Sequence, residues 1–109
     1  MKKIAFISSP YSALTARQRK KHIKYAREMM CEVIYCTDNL PIVPHLLYPQ
    51  VLDDNNANQR ITGLILCKYL IERADVIYVC CKFGISKDMA GEIKYAKSLN
   101  KEIIYIDKE

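Results

Sequence analysis

Apolar and polar residues follow one another along this chain in blocks whose periods alternate between strand-like and helix-like. Positions 2–8 carry Ile4, Ala5, Phe6 and Ile7 as an almost unbroken apolar run, the pattern of a strand buried on both faces. Ser8, Ser9, Pro10, Tyr11 and Ser12 interrupt it with turn residues. Thr15 is a candidate cap for a helix reaching about 37, in which Ile23, Ala26, Met30, Val33 and Ile34 recur at helical spacing. Asp38 and Asn39 end that helix. Positions 40–44 read as a short strand bracketed by Pro41 and Pro44, followed by a long polar loop from 45 to about 56. A second helix is expected over 57–74, with Ile61, Leu64, Ile65, Tyr69 (or Lys68) and Ile71 near its inner face. Positions 75–81 form the clearest strand, and 82–85 connect it to a third helix capped by Ser86 and ending near Asn100. Positions 102–107 are the last strand.

Strict alternation of strand and helix predicts an α/β fold of the flavodoxin or Rossmann kind. It is a small doubly wound parallel sheet of four strands in the order 2-1-3-4, with right-handed crossovers and helices on both faces. The 109 residues are the length of one domain, expected to span 1–109. In open sheets of this type ligands bind beyond the carboxyl ends of the strands, where the strand order reverses. With this order the reversal lies between strands 1 and 3, which directs attention to 8–12, 83–92 and the loop after strand 2.

Composition narrows the class. A hydrophobic fraction of 50% is too high for a disordered chain. No apolar run approaches the ~20 residues of a membrane-spanning helix, and the apolar stretch after Met1, Lys2 and Lys3 is too short for a signal peptide, so a cytoplasmic protein is expected. The five cysteines are odd in number and lack metal-ligand spacing. They are expected to be mostly buried free thiols in a reducing compartment. Net charge is +5, and Arg17, Arg19, Lys20, Lys21, Lys24 and Arg27 account for much of it. That stretch is read as one solvated helix face. Nucleic acid is not an expected partner, because no aromatic platform or recognised motif accompanies the charge. Charge at this level also suits a small phosphorylated ligand.

The candidate chemistry lies in three segments. Ser8, Ser9, Tyr11 and Ser12 offer hydroxyls and amides for ribose or phosphate. With only three glycines and no Gly-rich phosphate loop, a dinucleotide fingerprint or P-loop is unsupported. Ser86 stands at a helix start, beside free amides that favour an anion. Asp88 and Glu92 are four apart and share a face. The helix field favours an ionised Glu92, which could attack a sugar carbon or stabilise an oxocarbenium-like centre. Gly91 would allow a ligand or a neighbouring helix to approach closely. The third segment holds His45, Tyr48, Gln50, Asp53, Asp54 and then Arg60. His45 can bind base or phosphate, and Arg60 can pair with the acids or with a ligand phosphate. Asp53 and Asp54 lack a third partner at metal-ligand spacing, so no metal or cofactor is expected.

These residues resemble the nucleoside 2-deoxyribosyltransferase-like superfamily, most closely its small bacterial and phage branch. The likeness covers nearly the whole chain. It rests on Ile7-Ser8-Ser9-Pro10-Tyr11, on Pro41 to Leu46 with Leu52, Asp53, Asp54 and Arg60, and most specifically on Ser86-Lys87-Asp88-Met89-Ala90-Gly91-Glu92-Ile93 leading to Ala96. The resemblance implies a nucleophilic Glu92 acting on the N-glycosidic bond of a nucleoside or nucleotide, in a hydrolase or transferase. It further implies ligand contacts from Ser8, Ser9, Pro10, Tyr11, His45, Arg60, Ser86, Asp88 and Met89, and a homo-oligomer with its site near the subunit interface. The alternative is a non-catalytic phage-type binder. It would use the same pocket to sequester a nucleotide immune signal such as a cyclic ADP-ribose variant or a cyclic dinucleotide, as an anti-defence protein.

Overall fold

The structure, a computed structural model, describes residues 2–107. Its strands are β1 (Ile4–Ser8), β2 (Leu40–Ile42), β3 (Val76–Cys80) and β4 (Glu102–Ile106), all parallel in the order β2-β1-β3-β4. The helices are α1 (Ala16–Cys36), α2 (Pro44–Leu47), α3 (Ala57–Arg73) and α4 (Lys87–Ser98). The predicted class, order and alternation are therefore those of the molecule.

Strand period explains the two cores. In β1, Ala5 and Ile7 point to one face and Phe6 to the other. In β3, Val76, Tyr78 and Cys80 join the first set and Ile77 and Val79 the second. The first face is covered by Tyr25, Ala26, Met29 and Val33 of α1. The second is covered by Cys67 and Ile71 of α3 and by Met89, Ile93 and Ala96 of α4. Both central strands are thus buried on both sides, as their unbroken apolar runs require. Register pairs Ile7 with Tyr78 and Ser8 with Val79, which brings the carboxyl ends of β1 and β3 level.

Several expectations are corrected. The segment after β2 is not one polar loop. Pro44 starts the short α2, and Tyr48–Gln50 makes a 3₁₀ turn with Pro49 in its first positions, because proline is preset for the first turn of a helix. The inner face of α1 is His22, Tyr25, Ala26, Met29 and Val33. Ile34 is exposed, since two amphipathic rings outcompete the aliphatic reading of the helix. In α3 only Cys67 and Ile71 are buried, while Ile61, Leu64, Ile65 and Tyr69 form an exposed stripe. Of the cysteines, Cys67 and Cys80 are buried and Cys81 is half-buried, whereas Cys31 and Cys36 on α1 are exposed. A Cβ on Gly91 would meet open space, so no neighbouring helix among the described residues approaches closely there. No helix among the described residues is long and apolar enough to cross a membrane.

Candidate active site at the strand carboxyl ends

β1 ends on Ser8, which is fully buried. Its hydroxyl donates to Glu92 Oε1 at 2.7 Å. Glu92 projects from the second turn of α4, 8% exposed, and lines a cavity of about 200 Å³. The cavity is smaller than the roughly 300–1,000 Å³ of drug-sized sites, so it suits a compact ligand. Burial raises the Glu92 carboxyl from 4.5 to about 7. The Ser8 hydrogen bond acts against that rise, and the neighbouring Asp88 carboxylate adds to it. The helix field favours an ionised Glu92, as the sequence suggests, but burial acts against it and is the larger effect.

Asp88, one turn earlier, has a different environment. It is half-buried and accepts from Arg60 Nη2 at 2.7 Å. Arg60 also donates through Nη1 to Asp54 at 3.0 Å, and Asp54 accepts from the Ser12 hydroxyl at 2.7 Å. A chain of polar contacts thus ties the β1–α1 loop to the connector before α3 and to the start of α4. Arg60 is held by two acids, which raise its pKa further, Asp88 foremost.

Tyr11 and His45 stack across the cavity wall, centroids 5.4 Å apart and 21° between planes. Burial lowers the His45 pKa, with Asp88 and Asp54 opposing, so the imidazole is neutral at neutral pH. Ser86 caps α4 by accepting from the Met89 N–H at 3.2 Å, and the Ser86 N–H meets Met89 Sδ at 3.4 Å. Among the described residues no group of three or more His, Cys, Asp or Glu side chains could hold a metal ion.

Of the candidate residues, Tyr11, His45, Arg60, Ser86, Asp88 and Glu92 meet around the cavity. Ser8, Ser9, Pro10 and Met89 do not line it. Ser8 stands behind Glu92, Met89 is a wholly buried core residue, and Ser9 and Pro10 are buried. The Ser9 hydroxyl has no hydrogen-bond partner among the described residues. Sequence reasoning missed the α3 wall. Gln59, Gly63 and Cys67 face the cavity at spacings of four, and that stripe of small and polar residues was the available signal. Burial pushes the Cys67 thiol up to about 12, so it serves as wall rather than nucleophile.

Comparison with known proteins places these observations. The family model described as "Domain of unknown function (DUF7768)" matches residues 3–106, and the chain belongs to that family. A search of curated proteins gives no match. Among solved structures, the chain is similar to a 2-desoxiribosyltransferase from Leishmania mexicana, with a TM-score of 0.56 and 18% identity. The match covers 95% of this chain and 63% of that one. The likeness shows a shared fold.

Proposed function

We propose that this member of the DUF7768 family binds a nucleoside, a nucleotide or a nucleotide-derived signal at the carboxyl ends of β1 and β3. We further propose that it cleaves or transfers at the N-glycosidic bond with Glu92 as nucleophile. The observation that carries the reading is the buried Ser8–Glu92 pair opening on a cavity at the reversal of strand order. The fold likeness to a 2-desoxiribosyltransferase supports the same chemistry.

Ser8 holds one carboxylate oxygen of Glu92, leaving the other free to attack the anomeric carbon. As the carbon–oxygen bond forms, the carbon–nitrogen bond breaks, and its electron pair leaves with the base, which takes a proton from water. Water or a second base then attacks the same carbon and releases the glutamate. Tyr11 and His45 offer flat surfaces for a base. The exposed Ile61, Leu64, Ile65 and Tyr69 stripe on α3, beside the cavity wall, supports a homo-oligomer with its site near the subunit interface. The thiols of Cys31, Cys36, Cys67 and Cys80 stand outside any disulfide, which supports a cytoplasmic setting, and we read 1–109 as one domain.

A second reading, sequestration of an intact nucleotide signal by a phage-type binder, is favoured by one observation. Asp54 and Asp88 are both tied to Arg60, and His45 is neutral, so none of these wall groups stands free to protonate a leaving base. The test incubates the protein with a panel of nucleosides, nucleotides and cyclic nucleotide signals, followed by chromatography before and after heat denaturation. Free base that appears with the wild type and not with Glu92→Ala supports catalysis. A ligand depleted from solution and recovered intact on heating rejects catalysis for that ligand. Sequestration further requires that Arg60→Ala weaken binding more than Glu92→Ala does.

A further inference from the structure

The outer face of α1 is a row of cations that the fold does not use. Arg17, Lys20, Lys21, Lys24 and Arg27 recur at helical spacing and are all exposed. They stand opposite the inner face of His22, Tyr25, Ala26, Met29 and Val33. The ion pairs formed by the described residues involve Lys2, Lys3 and Arg60, and none of these five cations. Counting Arg19, α1 holds six basic and two acidic side chains, which is four of the five net positive charges of the chain. The placement also runs against the helix. No acid stands in the first turn and no base in the last, although the amino end of a helix is its positive pole and favours acids. A row of exposed cations that begins at the positive pole of the helix and forms no ion pair among the described residues is a local rule broken without gain to the fold. Such departures mark function.

We propose that this face of α1 docks the phosphate backbone of a nucleic acid. The row from Arg17 to Arg27 covers about 15 Å of helix axis, at 1.5 Å per residue. At one phosphate per ~3.4 Å along a strand, that length faces about four phosphates, and neighbouring cations at such spacing lie ~5–6 Å apart. A bilayer surface fits less well, because the exposed apolar side chains of α1, Ile34 and Tyr35, lie at its carboxyl end beyond the cations, and those beside the cations turn toward the sheet. Backbone docking needs no aromatic platform, so the lack of one in the sequence does not argue against it. This inference does not depend on the proposed chemistry of Glu92.

The test is fluorescence anisotropy with a labelled DNA duplex of about 20 base pairs, titrated with the full chain at several salt concentrations. Neutralising about four phosphates gives a slope near −4 in the logarithm of affinity against that of salt, a loss on the order of a hundredfold between about 50 and 200 mM. Lys20→Glu with Lys24→Glu is expected to weaken binding at least tenfold. Lys94→Glu with Lys97→Glu, the same charge change on exposed positions of α4, is expected to leave it nearly unchanged. Circular dichroism of both double variants checks that each is folded. No binding at the lowest salt, or equal loss in both variants, would overturn the proposal.

Discussion

Each side of the sheet carries a polar cluster at the strand carboxyl ends, and the two are built to different ends. On the α1 side, the Tyr25 hydroxyl donates to Asp107 at 2.8 Å and accepts from the Lys82 N–H at 3.2 Å. The Lys82 ammonium lies over the Tyr25 and Phe83 rings, and Phe83 meets Tyr25 edge-on. Burial and the Asp107 hydrogen bond hold the phenol protonated far above its ordinary range. On the other side, Glu92 has the Ser8 hydroxyl as its hydrogen-bond donor and faces a cavity. The first cluster is saturated and pins β3 and β4 to α1. The second pays for burying a carboxylate and leaves acceptor capacity open. Glu92 keeps a carboxylate oxygen facing the cavity, so the open side is the one proposed to take a ligand.

Substitutions in the two clusters are expected to act differently. Glu92→Gln keeps the shape of the side chain and removes the proposed nucleophile. Turnover of any cleaved nucleoside is expected to fall on the order of a thousandfold or more while ligand affinity is retained. Equal loss of both would turn Glu92 into a binding residue.

Stability against pH gives the next effect. A carboxyl raised from 4.5 to about 7 by folding binds more protons in the native state across that window. The Glu92 contribution to native stability should therefore fall as pH rises from about 4.5 to 7, by about 3 kcal/mol, while the buried His45 acts in the opposite direction. Urea melts of wild type and Glu92→Gln across this range isolate the Glu92 contribution, as the pH-dependent difference between the two. Tyr25→Phe, on the saturated side, is expected to cost about 1–3 kcal/mol by leaving Asp107 and the Lys82 N–H without their partner, with ligand affinity unchanged by calorimetry.

Ser8→Ala removes the contact that favours the ionised carboxylate. It should move the rise of rate with pH to higher values and lower the rate at neutral pH by roughly tenfold. On the proposed reading Ser8 positions Glu92, and Ser8→Thr, which keeps the hydroxyl, should restore the profile. The smallest effect is expected from Gly91→Ala. Its Cβ meets open space in α4, so the variant should gain about 1 kcal/mol in thermal melts and bind as before.

Much of this was legible in the chain. Strand order followed from the alternation of elements, because buried parallel strands write themselves as unbroken apolar runs and the crossover rule leaves few topologies. Glu92 and Asp88 were visible as a pair on one helix face, and Ser86 as a cap. What spacing could not give was partnership across long separations. Ser8 and Glu92 are 84 residues apart, and Arg60 reaches Asp88 over 28. The charge state of Glu92 also depends on burial, which no helical position encodes. The inner face of α1 was misread because His22 and Tyr25 are buried through their rings while their polar atoms bond at the rim. The α3 stripe was misread because large aliphatics on a helix do not state which neighbour covers them.

The most direct measurement is intact-protein and peptide mass spectrometry after brief incubation with a 2-deoxy-2-fluoro nucleoside panel, which slows release of a glycosyl intermediate. The account expects a pentosyl mass on the peptide carrying Glu92, absent from Glu92→Gln. Ligands that bind yet leave every peptide unmodified, and return intact with no free base, would contradict it.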